Sequence, residues 1–312
     1  VRTRVAVVGG GQNCEHEVSL ASAASVAAAL DPATYDVVRL TIGSDGTWRD
    51  RGGRPIGLSG AACLLRSCDV VFPVVHGPRG EDGALAALSE LAGLPYVGSG
   101  IGAGAIAMDK WVTKLVANAL GIATAPGQLV TAASAPTLVW TRPVVVKPVA
   151  AGSSQGVGLA RTAAELGPAL EAALALDSRA LVEDVMVGRE IDVAVLRRAD
   201  GSTYVAPPLE IVVDGLFDFE AKYGGGADFR IPAELDDVGA KALEDAAVAM
   251  FDTLGCAGVA RVDFFLTADG PVLNEVNTTP GMTEQSQVPR MFAAGGLAYP
   301  HLLDELVRGA HR

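Results

Sequence analysis

The chain has 312 residues, half of them hydrophobic, and a chain of about 300 residues buries roughly 75% of its unfolded surface, so a large core is available. A formal net charge of −12 argues against non-specific nucleic-acid binding and against an anionic membrane surface, since both need a basic field. The cysteines Cys14, Cys63, Cys68 and Cys256 form no C-x-x-C pair and no zinc-spaced Cys/His cluster, so reduced thiols in a cytoplasmic protein are expected.

The N-terminus enters a strand almost at once, without the pattern of a secretory leader, and no long uncharged apolar run predicts a membrane span. Residues 4–100 alternate strands and helices. "VAVVGG", "YDVVRLTI" and "CDVVFPVVH" read as strands, and 18–30 and 83–93 as helices. That alternation predicts a parallel sheet with helices on its faces. The turn "VVGGGQNCEHEVS" invites a dinucleotide reading, but Gly9-x-Gly11-x-x-Cys14 lacks the third glycine. A P-loop motif is absent from the sequence. Such a turn still presents amide hydrogens at a helix N-terminus. Glu15 lies there, as a ligand group or as a cap for the 18–30 helix. "VVHGPRGEDG" puts His76 and Glu81 at the end of a parallel strand, where ligands of α/β sheets collect; a lone histidine there also suits a structural role.

"GLPYVGSGIGAGAIAMD" is glycine-rich and reads as a boundary, followed by a helix over 109–121 capped by Asp109 and stopped at Gly121. "PVVVKPV" is a strand ending near Lys147. The small residues Gly152, Ser153, Ser154 and Gly156 follow, so backbone N–H groups can approach phosphate oxygens; a hairpin tip with a surface lysine is the alternative. A helix over 163–175 and the strand "ALVEDVM" come next. "LVEDVMVGREID" reads as an edge strand carrying Glu183, then an apolar link with Val185 and Met186 able to hold a purine ring, then Glu190 to meet ribose hydroxyls. A solvated acidic loop is the alternative. Residues 189–196 and 203–213 read as strands, 214–230 as a polar, Gly-rich segment, 236–254 as a helix and 299–309 as the last helix.

"RVDFFLTADGPVLNEVNTTPG", residues 261–281, reads as a hairpin with a three-residue loop and Gly270 in the left-handed position. With Thr267 facing Pro271, Asp263 sits opposite Glu275 and Arg261 opposite Asn277, all on one face. Val262, Phe264, Leu266, Val272 and Val276 then form the core face. Facing carboxylates repel. An all-oxygen set suits a hard cation, Mg²⁺ or Mn²⁺, against the alternative of an Arg-centred salt-bridge cluster.

Taken in order, "EHEVSL", "HGPRGEDG", "GLPYVGSG", "AMDK", "VKPVAAGSSQGV", "EAKY", "LGCAGVARVDFF" and "NEVNTTPGMT" resemble the D-alanine–D-alanine ligases of the ATP-grasp superfamily over residues 4–308. The resemblance implies an α/β, three-domain ATP-grasp fold. An N-terminal Rossmann-like parallel-sheet domain spans 1–99. A central subdomain with the phosphate loop spans 100–186, and a C-terminal domain with the 214–230 lid and the metal site spans 187–312. It implies ATP and two Mg²⁺ (or Mn²⁺) as cofactors, with Asp263, Glu275 and Asn277 as metal ligands. Lys110, Lys147, Gly152 and Ser154 resemble phosphate contacts. Glu183, Val185 and Met186 resemble the adenine hinge, and Glu190 the ribose ligand.

Glu15 is similar to the group that holds the first D-alanine ammonium, and with Ser153 and Tyr223 it resembles a hydrogen-bonded trio. Arg261 and the Gly281 amide resemble oxyanion donors. Lys222 and Ser286 resemble the groups that bind the second substrate's carboxylate, while His76 and Glu81 shape the first pocket. Gln287 departs from the family, where many members carry an apolar residue, which opens the choice of second substrate to D-Ser, D-lactate or a specialised amino acid. The implied reaction is ATP-dependent joining of two D-alanines through an acyl phosphate for peptidoglycan synthesis, in a cytoplasmic homodimer. Other ATP-grasp ligases and a non-catalytic ATP-binding protein are the alternatives.

Overall fold

The computed structural model describes residues 2–212 and 228–310. The 214–230 lid therefore lies outside the described residues up to 227, and so do Lys222 and Tyr223.

The described residues build three sheets. In the first, β1 (Thr3–Gly10) lies between β2 (Tyr35–Ile42) and β4 (Val70–Pro73), both parallel to it, and β3 (Trp48–Arg49) adds an antiparallel edge. The parallel sheet is as expected. The helices α1 (His16–Ala29), α2 (Gly57–Leu65) and α3 (Ala84–Leu91) accompany it. α1 starts two residues earlier than the apolar pattern suggests.

The glycine-rich boundary contains a helix, α4 (Ile101–Met108). Gly102 and Gly104 conceal it, because glycine weakens helices. Gly104 has a packing reason: a Cβ there would come within 2.6 Å of the Glu81 carbonyl oxygen. Asp109 caps α5 (Lys110–Ala119), accepting from the Val112 N–H at 3.0 Å. Ala103, Ala107 and Ala117 of these two helices pack into the core of the large sheet, with Val193, Phe251, Phe264 and Leu273.

The small antiparallel sheet has the order β6 (Gly127–Thr131), β9 (Arg179–Asp184), β7 (Val144–Pro148), β8 (Gly158–Ala160). α6 (Ala163–Leu174), held by a Thr162/Glu165 capping box, covers it. The strand bearing Glu183 is internal, between β6 and β7, and not the edge strand expected from sequence.

The large sheet runs β13 (Asp228–Arg230), β12 (Leu209–Val212), β10 (Arg189–Arg197), β14 (Val259–Thr267), β15 (Gly270–Asn277), β5 (Ala123–Thr124), and β11 (Thr203–Val205) also pairs with β10. The single strand expected over 203–213 is broken by Pro207 and Pro208, which have no N–H to give to a ladder. α7 (Asp237–Leu254), capped by Asp236 and ended by Gly255 at φ 70°, backs the sheet. α8 (Gln287–Ala294) and α9 (Tyr299–Arg308) pack between it and the first sheet, so Val5, Val7 and Val26 share one core with Leu196, Phe292 and Leu303.

The β14–β15 hairpin holds the expected pairs Arg261↔Asn277 and Asp263↔Glu275. Beyond them the register slips: Phe264 pairs with Leu273 and Thr267 with Gly270, not Pro271. The loop is thus two residues, Ala268 and Asp269. Asn274 is the extra residue of a bulge, and one inserted residue turns the side chains beyond it to opposite faces. Leu273 therefore takes the core place assigned to Val272.

Candidate active site

Two cavities meet between the sheets and share Lys110, Ala151, Ser153, Arg261 and Glu275 in their walls. The first is lined by Glu15, His76, Glu81, Gly152, Asn277, Gly281, Ser286 and Gln287. The second is lined by Lys147, Ser154, Glu183, Val185, Met186, Glu190 and Asp263. Every site residue proposed from sequence that falls within the described residues thus lines one or both.

The first cavity begins at the β1–α1 turn. Glu15 occupies the N-cap position of α1 but makes no side-chain cap. Its buried carboxylate instead accepts a hydrogen bond from Ser153 Oγ, so the capping alternative is overturned. Ser153 and Ser154 sit at φ 50° and 54°, a region costly for residues with a Cβ. Two neighbours in that state bend the loop back onto the turn. Gly152 is required by the same approach, because a Cβ there would overlap the Glu15 carboxylate.

His76 is buried, and its burial pushes the imidazole below its usual range. Nδ1 lies 2.7 Å from the Thr279 carbonyl oxygen and must donate to it; Nε2 then accepts from Ser22 Oγ at 2.9 Å. Ser22 Oγ in turn accepts from the Met282 N–H at 3.2 Å. His76 thereby fixes the 278–282 segment, a structural role within the cavity wall. Glu81 accepts from the N–H groups of Thr279 (3.0 Å) and Gly77 (3.2 Å). Burial, then the nearby Glu15 carboxylate, push its carboxyl up to about 7.

Arg261 is the hub where the cavities join. Its Nε and Nη2 donate to the two oxygens of Asp263, each at 2.7 Å, and Nη1 donates to Gln287 Oε1 at 2.7 Å. Gln287 Nε2 donates to Asp192 Oδ2 at 3.1 Å, and Asn277 Nδ2 to Asp263 Oδ2 at 3.0 Å. Lys110 reaches Glu275 at 3.1 Å and the Ala151 carbonyl oxygen at 2.8 Å. Each facing carboxylate thus has its own cation, and the Arg-centred cluster weighed against a metal is present. The two readings are compatible, because Asp263, Glu275 and Asn277 still gather oxygen donors on one face of paired strands, a set that suits a hard cation. Gly281 lies against Ser286: a Cβ there would come within 3.1 Å of Ser286 Oγ.

In the second cavity, Glu183 is buried, not a solvated loop carboxylate. Lys114 lies 2.5 Å from its Oε1 and Lys147 2.6 Å from its Oε2. Burial alone would raise this carboxyl, but Lys147 and Lys114 outweigh it and hold it below the ordinary range. Burial and the neighbouring Lys147 lower Lys114 to about 8. Lys147 also donates to Asn274 Oδ1 at 3.1 Å. Three residues of this network escape a reading by motif. Asn274 faces the site only because of the bulge, Asp192 lies mid-strand, and Lys114 is one helical turn beyond Lys110, a spacing that does place both on one face.

A small antiparallel sheet with a lysine and a Gly/Ser loop, facing an acid-bearing strand pair across a cavity, defines an ATP-grasp enzyme. The chain belongs to the D-alanine–D-alanine ligase family. Residues 4–64 and 58–99 match the family model described as "D-ala D-ala ligase N-terminus", and residues 127–308 match "D-ala D-ala ligase C-terminus". A D-alanine--D-alanine ligase of Mycolicibacterium smegmatis is 41% identical across 98% of this chain and 95% of its own. The VanG D-Ala:D-Ser ligase of Enterococcus faecalis superposes with a TM-score of 0.85 at 32% identity, covering 98% of this chain and 99% of its own. The D-alanine--D-alanine ligase of Bacillus anthracis complexed with ATP gives 0.81 at 26% identity, covering 98% and 97%. Among the described residues no helix is long and apolar enough to cross a membrane.

Proposed function

We infer that this protein is an ATP-dependent ligase that joins two D-alanines into D-alanyl-D-alanine for peptidoglycan synthesis. Family membership over nearly the whole chain supports the activity. The observation that carries the mechanism is the shared wall of the two cavities, where Lys110, Ser153, Arg261 and Glu275 face both sides.

In this reading the second cavity takes ATP. Val185 and Met186 flank the base, Glu183 accepts from its amino group and Glu190 meets the ribose. Lys110, Lys147 and the N–H groups around Gly152 and Ser154 hold the phosphates. Asp263, Glu275 and Asn277 would hold two Mg²⁺ ions, which when bound neutralise phosphate charge. Glu15 holds the ammonium of the first D-alanine in the first cavity, within walls set by His76 and Glu81. A carboxylate oxygen of that D-alanine attacks the γ-phosphorus of ATP, the bond from that phosphorus to the β-phosphate oxygen breaks, and an acyl phosphate and ADP result, a step helped mainly by positioning and charge neutralisation. The second D-alanine, its carboxylate bound by Ser286 and Lys222, attacks through its amine. Arg261 and the Gly281 N–H stabilise the tetrahedral oxyanion, and phosphate leaves as the amide forms. Tyr223 and the 214–230 segment would complete the enclosure that excludes water.

We further propose the three-part division 1–99, 100–186 and 187–312, a homodimer and a cytoplasmic location. Gln287 in the wall of the amino-acid cavity favours one second reading, a polar second substrate such as D-serine. Incubation with ATP, Mg²⁺ and a panel of D-amino acids, with the product identified by mass, tests both. D-alanyl-D-alanine from D-alanine alone is expected; turnover only after D-serine or D-lactate is added would overturn the first reading.

A further inference from the structure

Lys114 is 4% exposed and does not line the nucleotide cavity, whereas its partner Glu183 and the next lysine, Lys147, both do. Burying an ammonium costs several kcal/mol unless it is paired, and a buried pair is often no more stabilising than packed apolar groups. A leucine or methionine at this place on α5 would serve the core as well. Stability therefore gives no reason for a lysine here.

The geometry gives another. α5 packs on the large sheet, where Ala117 joins the core with Leu273, and Lys114 Nζ lies 3.5 Å from the Leu273 carbonyl oxygen. Glu183 and Lys147 belong to the small sheet, on neighbouring strands in register Val145↔Glu183 and Lys147↔Leu181. Lys114 thus reaches from one wall of the cleft to a carboxylate on the other. It neutralises Glu183 from behind while Lys147 takes the other oxygen. Although Lys114 is close in charge terms, among the described residues Glu183 Oε1 receives no aligned hydrogen bond. That oxygen is shut off from solvent, so the Lys114 ammonium beside it is the group that neutralises it.

We propose that Lys114 is a positioning residue for nucleotide binding, holding the Glu183 carboxylate, and through it the Lys147 ammonium, at the base of the cleft. It acts without touching the nucleotide. The inference rests on the second cavity being the ATP site. It predicts a division of labour: Lys147 presents charge to the ligand, and Lys114 keeps Glu183 from drawing that charge wholly to itself.

The test is a double-mutant cycle on the full chain with Lys114→Met, Glu183→Gln and both together. Binding of a non-hydrolysable ATP analogue is measured by calorimetry, and the KM for ATP and for D-alanine by phosphate release. Lys114→Met is expected to weaken the analogue and raise the KM for ATP by about 10-fold or more, the scale of a lost charged contact. The KM for D-alanine should stay within about 2-fold, since the amino-acid cavity is untouched. In the Glu183→Gln background the same substitution should change nothing. Should Lys114→Met not fold, Glu183→Gln and the double variant, which leave no unpaired carboxylate, still make that comparison. Unchanged analogue binding, equal losses for ATP and D-alanine, or additive effects would each overturn the proposal. A wild-type protein that binds the analogue but makes no D-alanyl-D-alanine would count against the ligase reading alone.

Discussion

Ser153 in the phosphate loop donates a hydrogen bond to the carboxylate of Glu15, which lies 138 positions earlier in the chain. The contact closes the loop of the small sheet onto the first turn of the parallel sheet, and it is buried on both sides. It joins the residue we assign to the substrate ammonium to the loop we assign to the nucleotide phosphates. A carboxylate held this way loses rotational freedom before substrate arrives, so less ordering remains to be done on binding.

Removing that contact should therefore weaken catalysis. A hydrogen bond to a charged group is worth about 1.5–3 kcal/mol, so Ser153→Ala should lower kcat/KM for the first D-alanine by about 10- to 150-fold. Gly152→Ala should do at least as much by displacing Glu15. Gly102→Ala, on α4 with open space around it, should leave activity intact and stabilise the fold by about 0.5–1 kcal/mol. Initial rates over a D-alanine series and thermal melts check all three. Equal activity of Gly152→Ala and the wild type would remove Glu15 from the site.

The pH dependence should report Glu81. Burial and Glu15 raise its carboxyl to about 7, so below that value the free protein keeps it protonated. A substrate ammonium in the same cavity favours the carboxylate, so the KM for D-alanine should fall as pH rises through about 7. Glu81→Gln should flatten that step. Stability runs the other way. The folded state holds a proton that the unfolded chain has released above the ordinary carboxylate range, so stability should decline from there up through about 7. Burial holds the His76 imidazole below its ordinary range in the folded protein, while the unfolded chain's imidazole takes up a proton below about 6.5, so His76 adds a stability slope of opposite sign that Glu81→Gln leaves in place. Rates and melts between about pH 5.5 and 8, a range that brackets the raised carboxyl, give both slopes.

The parts of the site that obey a local period are those the sequence makes legible. Alternation along 261–277 places Arg261, Asp263, Glu275 and Asn277 on one face without any structure. The bulge is not legible, because one extra residue at Asn274 leaves composition unchanged while reversing the faces of the residues on one side of it. α4 is hidden by glycines, one of which its close packing requires. The Glu15–Ser153 contact is written in no local pattern at all, and only the order of motifs along the whole chain anticipates it. Lys114 carries a visible signal, the i, i+4 spacing from Lys110, but a buried lysine reads like any solvated one until its partner is seen.

Arg261 should separate binding from chemistry. Loss of an oxyanion donor typically costs about 10²–10³ in kcat, so Arg261→Ala should nearly abolish dipeptide formation. It also takes the cation away from Asp263 and Asp192, and breaking a buried ion pair costs about 3–5 kcal/mol of stability, so the melting temperature must be followed alongside. Gln287→Leu is the gentler probe. It removes one partner of Arg261 and leaves Asp263 in place, so kcat should fall by about 10-fold, as for a lost charged hydrogen bond, with the KM for ATP unchanged. Single-turnover formation of D-alanyl-D-alanine separates these effects. A shift only in the KM for the second substrate would make Gln287 a specificity residue and not a support for Arg261.

The oxygen donors on the hairpin should answer to metal. Asp263 and Glu275 face each other across β14 and β15, and Arg261 and Lys110 neutralise them in this structure. Those cations keep two carboxylates tolerable side by side when nothing else does. A hard divalent ion must compete with them, so the site should need free Mg²⁺ well above trace levels and should accept Mn²⁺. Chelation with EDTA should stop turnover, and added Mg²⁺ should restore it. Glu275→Gln removes one anionic ligand and frees Lys110. It should raise the Mg²⁺ concentration for half-maximal activity by about 10-fold or more, equivalent to about 1.4 kcal/mol, and Mn²⁺ binding tracked by electron paramagnetic resonance should weaken in parallel. If instead the variant lost activity at every Mg²⁺ concentration while binding Mn²⁺ as the wild type does, Glu275 would serve only as the partner of Lys110, and the metal assignment would fall to Asp263 and Asn277.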